Sequence, residues 1–197
     1  MKDVKKFFIS NYKKCWDFLL ESKWFIVFAF GVFALMFLIG FAFPIFFRVE
    51  IFELIRELIL KVEGKGTLDL IVFIFLNNVW ASFMAMALGI LVGVFPLVTC
   101  VANGYLLGFV AREAVMVDGI FALWRILPHG VFELPAVLFS VGIGMRLGAE
   151  VLGIRCKEKG VRNVGYVFWE GLRFFVFVVF PLLVVAGIIE GVLIGIG

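Results

Sequence analysis

Residues 70–111 read LIVFIFLNNVWASFMAMALGILVGVFPLVTCVANGYLLGFVA, and no charged residue occurs in these 42 positions. A hydrocarbon core of about 30 Å is crossed by roughly 20 apolar residues of helix, so this stretch is too long for one crossing and fits two. Gly93 and Pro96 lie near its middle and supply the bend. We therefore predict a span over residues 71–92 and a short span over 96–111, with a re-entrant hairpin as the alternative.

The composition of the whole chain agrees with a membrane location. Of its 197 residues, 64% are hydrophobic and 17% are charged, whereas soluble domains are about 45–50% apolar. This difference excludes soluble enzymes, nucleic-acid-binding modules and disordered tails, so we expect the lipid bilayer and no nucleic acid among the partners. A chain of this length needs only one domain.

Three more apolar stretches predict membrane spans, over residues 24–47, 128–152 and 174–196. The first has no small-residue cleavage site after a short apolar region, so we expect it to be retained and not removed as a signal peptide. Pro128 fits the first position of a helix, where its missing N–H costs nothing. Together the spans predict an all-α, polytopic membrane helix bundle with about five transmembrane helices, in a single domain covering residues 1–197.

Lysine and arginine decide the expected orientation of such a protein, because cytoplasmic loops carry an excess of both. Two segments of this chain are rich in them, the N-terminal segment and the loop after the fourth span. Their basic residues are Lys2, Lys5, Lys6, Lys13, Lys14 and Lys23, and Arg155, Lys157, Lys159, Arg162 and Arg173. We therefore expect a multi-pass protein of the cell membrane with its N-terminus in the cytoplasm and its C-terminus outside.

Amphipathic segments flank the first span. The residues that follow it alternate at helical spacing between an apolar and a charged face, with Ile51, Ile55, Leu58 and Val62 on one side and Glu53, Glu57 and Lys61 on others. This pattern predicts an interfacial helix, and the lysine-rich N-terminal stretch predicts a second one on the cytoplasmic leaflet. Docking of another membrane or cell-envelope protein is the alternative interpretation of either helix.

Small residues recur at four-residue spacing in most spans, which allows helix backbones to approach closely in lipid. The rows are Asn77, Ala81, Ala85, Gly89 and Gly93; Ala136, Ser140, Gly144 and Gly148; Gly104 and Gly108; and Gly187, Gly191 and Gly195. The first span consists mostly of large residues. We predict a tight bundle of the second to fifth spans with the first span more peripheral, and a homodimer interface is the competing interpretation of any one row.

Polar residues at membrane depth need a partner or a wet cavity. With five alternating spans, the start of the second, the end of the third, the start of the fourth and the end of the fifth lie on one side of the membrane. The polar residues near these ends therefore share one leaflet, which the basic residues assign to the outer side. They predict one polar binding site formed by Asn77, Asn78, Asn103, His129, Glu133 and Glu190, with Arg112 near its rim. Pro135 adds an unpaired backbone acceptor beside Glu133. The alternatives are that these groups only hydrogen-bond the helices together, and that Glu190 lies at the interface.

The remaining chemistry-bearing residues are few. Arg146 and Glu150 are four residues apart and predict a snorkelling ion pair. Cys15, Cys100 and Cys156 have no paired spacing and are expected to be free thiols, so we expect no cofactor. A metal site of one imidazole and two carboxylates is chemically permissible at the polar site, although nothing in the sequence requires it.

Four sequence runs together resemble the stage II sporulation protein M family of integral membrane proteins. They are Asn77-Asn78, Asn103-Gly104, Leu127-Pro128-His129-Gly130 with Glu133-Leu134-Pro135-Ala136, and Ala186-Gly187 with Glu190-Gly191. The resemblance implies an all-helical protein with five spans. The bacterial namesake of the family belongs to a complex that remodels septal peptidoglycan, in which it is taken to anchor soluble wall hydrolases. This chain differs from a protein with a separate docking module, because its loops are short.

Three functions are open at this point. A non-enzymatic membrane scaffold explains the lack of a nucleophile motif. A transporter or channel for protons, a cation or a small solute would use His129, Glu133 and Glu190. An intramembrane enzyme is less well supported, since Ser140 lies about 16 Å from His129 along one helix, too far for a nucleophile and its base.

Overall fold

The computed structural model describes residues 2–64, 66–154 and 164–196. The side chains of residues 2, 3, 58, 59, 62, 124–129 and 193–196 are outside the described set. The basic loop predicted after the fourth span therefore lies largely outside the described residues, as do Cys156 and the side chain of His129.

Helices make up the regular structure of the described chain, as the sequence predicted. They are α1 (Lys2–Ala42), α2 (Arg48–Val62), α3 (Thr67–Ala87), α4 (Val94–Asp118), α5 (Leu123–Val151), α6 (Val164–Phe174) and α7 (Phe180–Ile196). A π-helical turn over Phe175–Val179 joins α6 to α7. Five helical stretches, in α1, α3, α4, α5 and the α6–α7 run, are long and apolar enough to cross a membrane. The all-α membrane bundle is thereby confirmed.

The five long helices alternate in direction along the chain. The residue numbers of contacting pairs show the relative direction of two helices. They rise together when the helices are parallel, and one rises while the other falls when the helices are antiparallel. These contacts are Ser22–Arg146 and Phe30–Phe139 between α1 and α5, Phe33–Gly104 and Phe37–Gly108 between α1 and α4, and Phe75–Gly187 and Ile71–Gly191 between α3 and α7. Gly89 and Gly93 after α3 also meet Gly144 and Gly148 of α5, so these two helices run in the same direction. Consequently α1, α4 and α7 run one way, and α3 and α5 run the other.

The predicted small-residue rows of the second and fourth spans pack against each other. A Cβ atom on Gly144 would lie 2.2 Å from the carbonyl oxygen of Ala85, and one on Gly148 would lie 2.2 Å from the amide nitrogen of Gly93. Backbones this close leave no room for a side chain, so α3 and α5 form a continuous seam. The rows are thus used inside the monomer.

The prediction that the first span is peripheral was wrong. A Cβ on Gly40 of α1 would lie 2.2 Å from the carbonyl oxygen of Tyr105, and one on Gly108 of α4 would lie 2.1 Å from that of Phe37. The glycines that permit this approach are on α4 and at the end of α1. A first span rich in large residues therefore packs closely because its partner supplies the small ones.

The bend between the second and third spans lies at residues 88–93 and includes Gly93 as predicted, whereas Pro96 lies in the first turn of α4. A 3-10 turn over Leu88–Ile90 follows α3, and Val92 and Gly93 have φ angles of 49° and 75°. Glycine adopts such left-handed backbone without a steric penalty. Helix α4 then runs for 25 residues to Asp118, so the third span is longer than predicted because the helix continues through charged Arg112 and Glu113.

Two other helices extend beyond the predicted spans. No glycine or proline occurs from Lys2 to Phe30, so the basic N-terminal stretch and the first span form one helix of 41 residues. Within it, Phe18 contacts Phe174, whereas Phe7 contacts Phe177. The first part of α1 thus crosses the last helical run. Helix α5 begins at Leu123, not at Pro128 as predicted, directly after a 3-10 turn.

Candidate functional site

Glu133 is the carboxylate at the centre of the predicted polar site. It lies on α5, two residues before Pro135, and it is partly buried. Its side chain lines a cavity of about 590 Å³ between α1, α4 and α5. The other described residues of the lining are apolar, including Phe33 and Phe37 of α1 and Leu107 of α4. Glu133 is therefore a single carboxylate in hydrophobic surroundings.

Glu190 on α7 lies close enough to Glu133 for the two charges to interact. Because α5 and α7 run in opposite directions, residues near the start of one and near the end of the other meet at one end of the bundle. The structure therefore brings together the two predicted carboxylates from separate spans. Two like charges that interact favour a bound proton or cation near one of them.

Asn77 and Asn103 do not join this pair. Asn77 and Asn103 face outward from the bundle, and Asn78 is partly buried on α3. The Asn103 side chain donates a hydrogen bond of 2.8 Å to the carbonyl oxygen of Thr99, one turn earlier in its own helix. An amide that is satisfied within its own helix can face lipid. The expected convergence thus applies to the acids and not to Asn77 or Asn103.

Arg112 lies near the end of α4, close to the same end of the bundle. Its guanidinium carbon sits 5.7 Å from the centre of the Phe41 ring, which gives it a cation–π contact. It is partly buried, and it follows Ala111, a residue of the cavity wall. Its role at the rim of a polar site stays a prediction.

His129 lies one turn before Glu133 on α5, and its side chain is outside the described residues. Among the side chains that the structure does describe, no group of three histidine, cysteine, aspartate or glutamate residues could hold a metal ion. Of the imidazole and two carboxylates in the metal site that the sequence permits, only the carboxylates of Glu133 and Glu190 belong to described side chains. The hydroxyls of Ser82 and Ser140, on the adjoining helices α3 and α5, are fully buried and have no hydrogen-bond partner in the described part of the chain.

The sequence analysis missed a second polar cluster at the opposite end of the bundle. Arg146 of α5 is only 2% exposed, and it donates hydrogen bonds to Ser22 Oγ at 2.6 Å and Glu21 Oε2 at 3.2 Å, both on α1. Its guanidinium also covers the Phe18 ring at 4.7 Å, and Tyr166 donates to Glu21 at 3.3 Å. Three interactions thus satisfy one buried cation, and Tyr166 in turn holds its carboxylate partner.

The predicted pairing of Arg146 with Glu150 was therefore wrong. The sequence contained a signal for the real partner, since Glu21 precedes the first span and Arg146 lies near the end of the fourth, so alternating spans place both at the same end. A lone arginine inside a span requires a partner. Helical spacing suggested one on its own helix, whereas the close packing of α1 on α5 provides one from another helix.

The model of the family described as Stage II sporulation protein M matches residues 24–193, nearly the whole membrane-spanning part. An uncharacterized protein of Methanocaldococcus jannaschii is 30% identical over 130 residues, which cover 65% of this chain. The match covers 57% of that relative, so this chain spans little more than half of its length. No solved structure matches the chain.

Proposed function

We propose that this chain, which belongs to the stage II sporulation protein M family, is a non-enzymatic scaffold of the cell membrane that presents helix α2 to a partner protein. The observation that supports this function is the exposure of α2. The helix is fixed to the bundle by its first two turns, through Ile51 and Ile55, and most of its described side chains otherwise face outward.

The anchoring contacts lie in the first turns of α2. Ile51 is buried against Tyr105 and Phe109 of α4, and the Phe52 ring meets the Phe109 ring edge-on at 5.6 Å. Arg48 also lies 3.6 Å from a Glu113 oxygen. These contacts fix the direction in which α2 leaves the bundle.

The exposed part of α2 carries both charged and apolar groups. Its outward-facing side chains are Glu53, Leu54, Arg56, Glu57, Leu60 and Lys61. A helix that is held at one end and offers an amphipathic surface fits recognition by a groove on another protein. The tight α3–α5 and α1–α4 seams supply the rigid base that a scaffold requires.

Photo-crosslinking in the native membrane tests the scaffold. A photoreactive residue at Glu57 of α2 should capture a discrete partner protein, because that position faces away from the bundle. The matched control is Val72 of α3, which is 53% exposed on the outer surface of a span and should capture only lipid. Lipid adducts alone at both positions would contradict the scaffold and leave α2 as an interfacial helix.

A second candidate function is transport of protons, a cation or a small solute. It is favoured by the approach of Glu133 and Glu190 at one end of two antiparallel spans. Reconstituted protein should then dissipate a proton or cation gradient, and Glu133→Gln should abolish this flux while Glu53→Gln on exposed α2 leaves it unchanged. Equal leakage from empty and protein-containing vesicles would remove this candidate.

A further inference from the structure

We propose that the cavity beside Glu133 is a binding site for a lipophilic primary amine that enters from the bilayer. The ammonium head would lie at the Glu133 carboxylate, and the apolar chain would lie between α1 and α5. This site goes beyond the scaffold role and does not depend on it.

The cavity has the size and the opening that such a ligand needs. Its volume of about 590 Å³ lies within the range of roughly 300–1,000 Å³ that is typical of small-molecule sites. Phe30, Ala34 and Val131 are part of its wall and also face outward from the bundle. At the depth of these residues both α1 and α5 are membrane-spanning helices. The opening between them therefore faces the lipid.

The apolar lining favours a ligand with a hydrocarbon body. Phe33, Phe37, Leu107, Leu134 and Leu138 enclose the cavity from three helices. Burial of apolar ligand surface against them is favourable, whereas a small hydrated cation would gain nothing from these walls.

Charge complementarity selects the head group. Glu133 is the one ionisable residue among the described residues of the lining, and a carboxylate in apolar surroundings is stabilised by a cation within hydrogen-bond reach. Glu190 adds negative charge nearby. An ammonium group meets both conditions, whereas a fatty acid would be repelled and a fatty alcohol would gain no charge interaction.

Photolabelling of the intact protein in nanodiscs of zwitterionic lipid tests the proposal. The probe is a hexadecylamine with a diazirine in its chain, and the comparison compound is the alcohol of the same length. We expect saturable labelling of α1 near residues 30–37 and of α5 near 130–138. The amine should half-saturate the site at a concentration about tenfold lower than the alcohol, the difference expected for one charge-assisted hydrogen bond.

Three variants separate this site from general lipid labelling. Glu133→Gln should remove the preference for the amine, and Ala34→Phe, at an outward-facing position of the wall, should reduce labelling by both probes. Glu53→Gln on α2 should change neither. Equal labelling by amine and alcohol in the unmodified protein, or a preference for the amine that persists in Glu133→Gln, would overturn the proposal. If Glu133→Gln does not fold, the comparison of probes in the unmodified protein and in Ala34→Phe decides.

Discussion

Arg146 shows how a single charged side chain is accommodated inside this bundle. The guanidinium donates hydrogen bonds to Glu21 and Ser22 and lies over the Phe18 ring, all on α1. Burial of the guanidinium costs desolvation free energy whether or not its partners are present. The buried cation is therefore stable only while those partners remain. The geometry therefore ties the start of the first span to the end of the fourth.

Removal of the acid alone should destabilise the protein. Glu21→Ala leaves the Arg146 charge buried without its counter-ion, so the free energy of unfolding in mixed micelles should fall by about 3 kcal/mol. Glu21→Ala combined with Arg146→Met should cost less, since no buried charge is left unpaired. Equal or greater loss in the double variant would contradict this account of the cluster.

Gly144 is one of the glycines on which the α3–α5 seam depends. A methyl group there would meet the Ala85 carbonyl oxygen at 2.2 Å, so Gly144→Ala should lower the free energy of unfolding by about 1–3 kcal/mol. Gly31 on α1 is the matched control, because a Cβ there would have no neighbour within 4 Å. Gly31→Ala should instead stabilise its helix by roughly 0.5–1 kcal/mol. Similar unfolding curves for the two variants would argue against the seam.

At the scale of elements, the end of α1 combines a local sequence signal with a contact from a neighbouring helix. Helix α1 stops at Ala42, two residues before Pro44, where the backbone of Phe43 is biased away from helix. The Tyr105 hydroxyl of α4 then lies 2.9 Å from the Phe43 carbonyl oxygen and 2.7 Å from that of Phe46, and can donate to either. This contact supports the turn from which α2 leaves.

Loss of that hydroxyl should loosen the turn between α1 and α2. Tyr105→Phe removes one hydrogen bond at a site that is 7% exposed, at a cost of about 1 kcal/mol. Amide hydrogen exchange over residues 43–51 should become faster in this variant. Tyr12→Phe is the control, since Tyr12 is half exposed on the N-terminal part of α1, and unchanged exchange in both variants would show that the contact is dispensable.

The sequence was sufficient for the type and number of the long elements, because an uninterrupted apolar run of span length has few other solutions. It was less informative about where they end. Helix α4 continues past the charged residue Arg112, and α5 starts before Pro128, because helical hydrogen bonding is not limited to the hydrocarbon region. The N-terminal stretch is continuous with the first span for the same reason.

At the scale of the whole molecule, the sequence could predict which site residues lie at the same height in the membrane, because height depends on the alternation of spans. Glu133 and Glu190 meet because their helices are antiparallel. The direction in which each side chain faces was not predictable from height alone, and so Asn77 and Asn103 face outward. The close approach of α1 could not be inferred from its large residues, since the glycines that allow it belong mainly to α4.

An odd number of spans places the two termini on opposite sides of the membrane, and the basic residues predict that the N-terminus is cytoplasmic. In a variant without the native cysteines, an impermeant maleimide added to intact cells should label Glu53→Cys on α2. It should label Lys5→Cys only after the membrane is opened. Labelling of Lys5→Cys but not Glu53→Cys from outside would reverse the orientation, and labelling of both from outside would show that α1 does not cross the membrane between them.

The central claim is that antiparallel spans bring Glu133 and Glu190 together at one end of the bundle. A short thiol-specific crosslinker, applied in native membranes to a Glu133→Cys and Glu190→Cys pair, tests it directly. The control pair combines Glu133→Cys with Trp169→Cys, a residue that is 66% exposed on α6 at the other end of the last helical run. We predict an intramolecular crosslink in the first pair and none in the control. A crosslink in the control pair alone would contradict the account.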